Sequence, residues 1–389
     1  MFYAKYIQAQ RLKAIPPYFF AELDKKKDEI RAKGKDLIDL SVGDPDLPPP
    51  AFLINELKKT LHEQEYYRYP PYKGTREFCE AVAWWYQHRW GVKINPVTEV
   101  WSLIGSKEGL VHLPLAVVNP GDYVGVPDPC FPCYRSAVAF AGGRIHHLPL
   151  RRENNFLPDL SAIKPAVANK MKLIFLNYPN NPTSAVATKE FYQDIIKFAR
   201  KYGIVICQDN AYAEVYYDKP PVSFLSVPGA KEVGVETGSF TKMFNVAGWR
   251  VGWMVGNAGV IKALGAIKSN TDSGLWTAFQ KACVVALHKG KPAMERFRQV
   301  YRRRREMVAR ALEIIGWEFH LPEATYFFWI KVPVGYTSMS FSQRLLEELY
   351  IAVTPGVGFG AKGEGYIRIS LTISEARLRE AIKRLQTLK

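Results

Sequence analysis

The sequence predicts an α/β fold, with a large domain built on a mostly parallel central sheet flanked by helices and a smaller α+β domain. Three observations support this prediction. Short apolar, strand-like runs alternate with helical segments between about residues 75 and 270, which is typical of a doubly wound α/β layer. After Thr277 long charged helices follow instead, through Ile315. The length of 389 residues is sufficient for two domains with substantial cores.

Each element is predicted from its local pattern of apolar and polar residues. Helical periodicity predicts helices over residues 75–90, 107–118, 131–140, 189–201 and 260–270, and a last helix that begins near Ser374. Continuous apolar runs predict strands over residues 100–104, 172–176, 204–206, 233–240, 251–255, 326–332 and 366–371. We find no repeat and no low-complexity linker along the chain.

The most informative segment is residues 239–250, which read Ser-Phe-Thr-Lys-Met-Phe-Asn-Val-Ala-Gly-Trp-Arg. A lysine at the end of a strand among neutral residues, such as Lys242, can lose its proton and attack a carbonyl. The hydroxyls of Ser239 and Thr241 and the guanidinium of Arg250 suit a phosphate. An amine next to a phosphate site is what pyridoxal 5′-phosphate (PLP) requires. Taken alone, the segment is also compatible with Lys242 being an ordinary surface lysine.

Three further polar clusters follow strand-like runs. They are Gly-Ser-Lys-Glu-Gly at 105–109, Asn-Tyr-Pro-Asn-Asn-Pro-Thr at 177–183 and Cys-Gln-Asp-Asn-Ala-Tyr at 207–212. Open α/β sheets bind ligands just beyond the carboxyl ends of their strands. Each cluster alone could be a turn, and Asp209 could cap a helix. Four such clusters in one chain are hard to explain as turns.

With these motifs the sequence resembles the fold-type I, class I/II PLP-dependent aminotransferases over nearly its whole length. The resemblance implies that Lys242 binds PLP covalently and acts as the general base, and that Asp209 pairs with the pyridinium nitrogen. It implies that Tyr212 and Asn181 bind the ring oxygen. The other cofactor-binding residues that it implies are Gly105, Ser106, Lys107, Ser239 and Arg250 for the phosphate, Phe131 for stacking on the ring, and Tyr69 for the phosphate of a neighbouring subunit.

The resemblance also implies how the substrate binds and how the chain is organised. Arg368, in Tyr-Ile-Arg-Ile-Ser, corresponds to the arginine that binds the α-carboxylate, and the backbone of Gly43 lies beside the substrate with Asn181. We expect a homodimer with shared active sites. We expect residues 1–45 to form an N-terminal arm and part of the small domain, 46–276 the PLP-binding domain, and 277–389 the small C-terminal domain.

The glycine-rich run 355–366 and the loop 270–274 are most similar to the subgroup that contains LL-diaminopimelate aminotransferases of lysine biosynthesis, for which 2-oxoglutarate is the expected acceptor. In that subgroup Lys107 would also be available for a distal carboxylate. Tyr72 departs from that subgroup. There, the position two residues before the glycine that corresponds to Gly74 holds an acidic residue, which binds the distal ammonium group of the substrate. An alanine, aspartate or glutamate aminotransferase and a PLP-dependent C–S lyase remain alternatives.

The composition offers one competing class of function. The net charge of +16, from 53 basic and 37 acidic residues, could indicate a nucleic-acid-binding protein without catalysis. The densest basic runs, 25–27 and 302–305, have helical periodicity and acidic neighbours, so we interpret them as solvated helix faces. No zinc-finger, RNP or basic-zipper pattern accompanies them. We therefore expect small-molecule substrates and no nucleic-acid partner.

Two further features bear on the setting of the protein. Five scattered cysteines and a lone His146–His147 doublet do not form a zinc-binding pattern, so we expect free thiols and no metal. Met1–Arg11 lacks an apolar signal segment, and no apolar run approaches the length of about 18 residues that a membrane helix needs. We expect a cytoplasmic protein that does not interact with a membrane.

Overall fold

The computed structural model describes residues 9–15 and 19–388, so part of the predicted N-terminal arm lies outside the described residues. The helices are α1 (Phe19–Ala32), α2 (Ala51–Thr60), α3 (Arg76–Trp90), α4 (Ser106–Val117), α5 (Cys133–Phe140), α6 (Pro165–Ala168), α7 (Lys189–Tyr202), α8 (Ala230–Val233), α9 (Phe240–Phe244), α10 (Ala258–Lys268), α11 (Thr277–Lys289), α12 (Lys291–Ile315), α13 (Ser338–Leu349) and α14 (Glu375–Leu385). The strands are β1 (Ile38–Asp39), β2 (Val100–Ile104), β3 (Tyr123–Asp128), β4 (Arg144–Pro149), β5 (Met171–Asn177), β6 (Val205–Asp209), β7 (Gly234–Ser239), β8 (Val251–Gly256), β9 (Phe327–Lys331), β10 (Ile351–Ala352), β11 (Thr354–Pro355) and β12 (Tyr366–Ser370).

The main sheet has the strand order β2-β8-β7-β6-β5-β3-β4. Strand β8 runs antiparallel to β2 and β7, and every other neighbouring pair is parallel. The α/β fold with a mostly parallel sheet is therefore confirmed. The central strands β5, β6 and β7 are almost entirely buried, as expected for a sheet covered by helices on both faces.

The polar clusters lie slightly differently from the prediction. We expected Asn177 and Asp209 just beyond the strand ends, but they are the last residues of β5 and β6, and Ser239, which lies within the predicted run 233–240, is the last residue of β7. Strand β6 continues to Asp209 because the parallel neighbours supply backbone partners there: Asp209 pairs with Asn177 on one side and Thr237 on the other. Their side chains are therefore held by a rigid sheet and not by a loop.

Local sequence explains where the surrounding helices begin and end. The hydroxyl of Thr75 accepts a hydrogen bond from the amide of Phe78, so α3 begins one residue after Thr75. Thr188 caps α7 in the same way, and Gly203, with φ of 67°, ends it. The predicted helices lie within two residues of the observed ones at their amino-terminal ends.

A second, smaller set of strands is built from both ends of the chain. The antiparallel sheet β11-β12-β9 lies beside the parallel pair β1-β10, in which Ile38 pairs with Ile351. Helices α12, α13 and α14 pack around a separate apolar core that contains Phe328, Leu345 and Ile367. This arrangement is compatible with a small domain formed by both chain ends, and the boundaries at residues 45 and 276 remain a prediction.

The interpretation of the basic runs as solvated helix faces is wrong for Lys27, which is 3% exposed and pairs with Asp24 and Asp39, and for two members of the run 302–305. Arg304 and Arg305 are buried, with 3% and 7% of their surfaces exposed. Their guanidinium groups bind Asp46 and the carbonyl oxygen of Pro322, respectively. The acidic partner of Arg304 is distant in sequence, so local charge patterning could not reveal it.

The five cysteines are free and buried, as expected from the sequence. Burial raises the pKa of Cys130 to about 12 and that of Cys79 to about 11, so these thiols stay protonated near neutral pH. Within residues 9–15 and 19–388, no helix has both the length and the apolar character needed to cross a membrane.

Candidate active site

A cavity of about 380 Å³ lies at the carboxyl ends of the parallel strands, between the main sheet and the smaller strands. Such an edge is where the predicted residues should meet. The predicted site residues that line the cavity are Gly43, Ser106, Lys107, Phe131, Asn181, Asp209, Tyr212, Ser239, Lys242, Arg250 and Arg368. These residues come from separate stretches of the sequence, and the fold brings them together around one cavity.

Lys242 extends from the short helix α9 that follows β7. Its Nζ donates a hydrogen bond of 2.9 Å to the carbonyl oxygen of Gly43 and lies 5.8 Å from the ring centroids of Tyr212 and Tyr326. Burial lowers the pKa of the Lys242 amine to about 8, and the positive charge of Arg368 acts in the same direction. The predicted depression of this pKa is confirmed. The amine can therefore act as a nucleophile and a base near neutral pH.

Asp209 forms the floor of the cavity and is 5% exposed. Its carboxylate accepts hydrogen bonds from the hydroxyl of Tyr134 at 2.7 Å, the hydroxyl of Thr237 at 3.1 Å and the amide of Ala211 at 3.3 Å. Burial raises the pKa of Asp209, and these hydrogen bonds oppose the rise. Among the described residues, no lysine or arginine forms an ion pair with this carboxylate. It is therefore suited to bind a cationic N–H group of a ligand.

Another part of the cavity wall is suited to an anion. Helix α4 begins at Ser106 and presents its amino terminus, where free amides and the helix dipole attract negative charge. Gly105, with φ of 75°, precedes it, and a Cβ at this position would lie 2.4 Å from Nη2 of Arg250. Only glycine lets the guanidinium of Arg250 approach the start of α4 so closely.

Two hydroxyl residues complete this anion site. Ser239, at the end of β7, is 4% exposed and lines the cavity. The hydroxyl of Thr241 is buried, also lines the cavity and has no hydrogen-bond partner among the described residues. A buried hydroxyl without a partner is costly, so a phosphate oxygen that accepted a hydrogen bond from it would satisfy it.

Arg368 also lines the cavity and is 4% exposed. Its Nη1 donates to the side-chain oxygen of Asn181 at 2.7 Å, and its Nη2 donates to the carbonyl oxygen of Ser41 at 2.6 Å. The guanidinium stacks on the rings of Phe327 and Phe359, with centroid distances of 4.2 and 4.8 Å. These contacts fix the plane of the guanidinium, which is the condition for binding a carboxylate through two hydrogen bonds.

The remaining predicted residues differ in how closely they approach the cavity. Lys107 lies 5.9 Å from the ring centroid of Phe131, so both face the same part of the cavity wall. Tyr212 packs edge-on against Tyr326. Tyr69 does not line the cavity of this chain and is 90% exposed. Its predicted role in a neighbouring subunit remains a prediction.

Several site residues were not predicted from the sequence. Tyr134, the main hydrogen-bond donor to Asp209, occurs only three residues after Phe131, and this proximity was its one available signal. Asp44 lines the cavity and raises the pKa of Lys242, against the effect of burial. Phe327 and Phe359 support Arg368 from sequence positions that look like ordinary core.

Comparison with known proteins agrees with this geometry. Residues 35–385 match the family model described as aminotransferase class I and II. The chain belongs to this family. An LL-diaminopimelate aminotransferase of Aquifex aeolicus (strain VF5) is 51% identical to this aminotransferase over 383 residues, which cover 98% of this chain and 99% of the relative. A second protein of that name, from Syntrophobacter fumaroxidans (strain DSM 10017 / MPOB), is 47% identical over 384 residues, or 98% of this chain and 99% of the relative.

Solved structures show the same fold as this aminotransferase. Substrate-bound BacF from Bacillus subtilis superposes with a TM-score of 0.94 at 37% identity, covering 98% of this chain and 97% of that one. A probable N-succinyldiaminopimelate aminotransferase from Thermus thermophilus has a TM-score of 0.90 at 36% identity, covering 94% of this chain and 99% of that one.

Proposed function

We propose that this aminotransferase binds PLP in the cavity, with Lys242 as its covalent anchor. The observation that carries the proposal is the position of Lys242, whose amine has a pKa of about 8 and lies in one cavity with an anion site and a buried carboxylate. The hydroxyl of Thr241 and the carboxylate of Asp209, which lack a hydrogen-bond partner and an ion-pair partner respectively among the described residues, support the fit. A cofactor with a phosphate at one end and a pyridinium nitrogen at the other would satisfy both.

Each residue then has a defined task. PLP, when bound, withdraws electrons from the α-carbon of an amino acid. Asp209 would face the pyridinium nitrogen, because the hydroxyls of Tyr134 and Thr237 orient its carboxylate and oppose the rise in its pKa that burial causes. Asn181 directs its amide oxygen to Arg368, so its amide nitrogen is the group that donates to the ring oxygen.

The substrate is held and deprotonated by two further groups. Arg368 binds the α-carboxylate through its planar fork. With PLP bound, the amine of the substrate would displace the Lys242 amine from its covalent link, and the released Lys242 amine would be the group that accepts the α-proton of a substrate oriented by Arg368. The lowered pKa of Lys242 makes this amine an effective base close to neutral pH.

For the substrate we propose LL-diaminopimelate as amino donor and 2-oxoglutarate as acceptor. The proposal is supported by the name that two relatives, 51% and 47% identical over nearly the whole chain, share. Lys107 lines the cavity and supplies a positive charge for a distal carboxylate. Tyr72, where an acidic residue was expected, is half-exposed at 51% and does not line the cavity of this chain.

The test is to identify the product from the wild-type enzyme. The enzyme is incubated separately with LL-diaminopimelate, alanine, aspartate and glutamate, each with a keto acid acceptor, and the products are analysed by mass spectrometry. We expect the keto acid of LL-diaminopimelate to form with the highest kcat/KM. Pyruvate and a free thiol from a sulfur-containing amino acid would instead identify a C–S lyase. Preference for alanine, aspartate or glutamate would overturn the substrate assignment but not the reaction.

We further propose that the enzyme is a homodimer in which Tyr69 binds the phosphate of the partner's cofactor. In the single chain, Tyr67, Tyr69 and Tyr72 are exposed, at 65%, 90% and 51%. A Cβ added to Gly274 would lie 3.1 Å from the carbonyl oxygen of Pro71, so the loop at Gly274 packs against this segment. Light scattering should give twice the chain mass of 44.2 kDa. Tyr69→Phe should lower PLP affinity without changing that mass.

A further inference from the structure

The loop of residues 41–46 contains Gly43, whose carbonyl oxygen accepts the hydrogen bond from the Lys242 amine. Its first residues are tied to the strand that bears the substrate arginine. The carbonyl oxygen of Ser41 accepts from Nη2 of Arg368 at 2.6 Å, and that of Val42 accepts from the hydroxyl of Thr372 at 2.9 Å. The position of this loop therefore affects both the Lys242 amine and the guanidinium of Arg368.

The far end of the loop is held by an arginine of helix α12. Nη1 and Nη2 of Arg304 donate to the two carboxylate oxygens of Asp46 at 2.7 and 2.9 Å. Nη1 also donates to the carbonyl oxygen of Leu371 at 2.9 Å, directly after β12. The side chain of Arg304 is 4% exposed, so this bidentate pair is shielded from water on the arginine side.

The loop has little freedom to shift without disturbing the site. A Cβ added to Gly43 would lie 2.7 Å from Cζ of Phe327, so the loop backbone rests directly on that ring. The same ring stacks under the guanidinium of Arg368, 4.2 Å away. A displacement of the loop would therefore reach Arg368 through Phe327 as well as through Ser41.

We propose that Arg304 is a positioning residue for the reaction. By holding Asp46 and Leu371 with one guanidinium, it fixes the separation between the Gly43 carbonyl group and Arg368. Arg304 does not line the cavity, so it acts through these groups and not on the substrate. The inference rests on the proposed function, because the role of Arg368 in binding the α-carboxylate belongs to that function.

Adjacent arginines of α12 provide a matched comparison. Arg305 is also buried, at 7% exposed, but its Nη1 donates to the carbonyl oxygen of Pro322 at 2.9 Å. No hydrogen bond joins Arg305 to residues 41–46 among the described residues. Arg305→Lys therefore reproduces the loss of a buried guanidinium on the same helix without touching the loop.

The experiment compares Asp46→Asn and Arg304→Lys with Arg305→Lys. Asp46→Asn retains the shape of the side chain, so it remains informative if Arg304→Lys folds poorly. For Asp46→Asn and Arg304→Lys we expect the KM of every α-amino acid donor to rise about tenfold, the size of a lost hydrogen bond to a charged group, with a smaller change in kcat. We also expect faster hydrogen exchange of the amides of residues 41–44 and 46, measured on protein without PLP or substrate. Arg305→Lys should change neither quantity.

The outcomes separate the two levels of the proposal. Wild-type KM and wild-type amide exchange in Asp46→Asn would overturn the role of Arg304. Equal changes in all three variants would also overturn it, because they would reflect a general loosening of α12. If the wild-type protein transaminates no amino acid, the proposed function fails, and the role of Arg304 in substrate binding fails with it.

Discussion

Replacing Arg368 by lysine tests the proposed substrate contact most sharply, because charge is kept while shape is lost. The guanidinium is 4% exposed and is held by Asn181, Ser41 and two aromatic rings, so its plane is fixed before a ligand arrives. A lysine ammonium at the end of a flexible chain cannot form the same pair of parallel hydrogen bonds to a carboxylate. It also cannot replace the donors to Asn181 and Ser41 at the same time.

The magnitude follows from these contacts. A hydrogen bond to a charged group contributes about 1.5–3 kcal/mol, and each 1.4 kcal/mol corresponds to a factor of about ten. The loss of one such bond to the substrate therefore predicts that KM rises roughly 10- to 150-fold in Arg368→Lys. Since every amino donor has an α-carboxylate, the rise should be similar for all of them.

The assay is steady-state kinetics of Arg368→Lys with each amino donor, at matched PLP content. Unfolding temperature serves as the control for a general structural defect. A KM equal to that of the wild type would refute the assignment of Arg368 to the α-carboxylate. A rise for one donor only would place Arg368 on the substrate side chain instead.

Three other substitutions test the cofactor site. Lys242→Ala should abolish both turnover and the visible absorbance of bound PLP. In wild-type protein prepared without PLP, the rate of PLP capture should rise with pH and level off above about pH 8, because the Lys242 amine is neutral above its lowered pKa. A rate that still rises to about pH 10 would contradict this lowered pKa. Asp209→Asn should keep the covalent linkage but lower kcat by roughly 100-fold, as for loss of other buried electrostatic contacts in active sites, and stopped-flow rates near wild type would count against its role. Gly105→Ala should weaken PLP binding about tenfold, because Gly105 has φ of 75° and an added Cβ would lie 2.4 Å from Arg250. Equilibrium dialysis measures this change in affinity. Gly203→Ala is the matched control, because Gly203 has φ of 67° but no neighbour within 4 Å of an added Cβ.

The sequence was sufficient to predict elements whose pattern is local. The alternation of apolar runs and helical periods predicted the parallel sheet and the helices that begin near residues 75 and 189. The segment around Lys242 and the end of β6 were recognisable because the residue types themselves limit the chemistry. The depressed pKa of Lys242 followed from the same reasoning.

What the sequence did not predict depends on contacts between distant segments. Tyr134 contacts Asp209 across 75 positions, and Arg304 contacts Asp46 across 258 positions. Nothing near Arg304 distinguishes it from the other arginines of its run, so the local pattern suggested a solvated face. Burial and partnership of such residues are set by tertiary packing, which periodicity does not report.

The most direct test of the central claim is the absorbance spectrum of purified protein before and after addition of LL-diaminopimelate, alanine, aspartate or glutamate. We predict a visible band from PLP linked to Lys242, which amino donors convert to the pyridoxamine form, LL-diaminopimelate at the lowest concentration. Absence of the band even after PLP is added, with Lys242→Ala giving the same spectrum, would contradict the assignment of Lys242 as the covalent anchor.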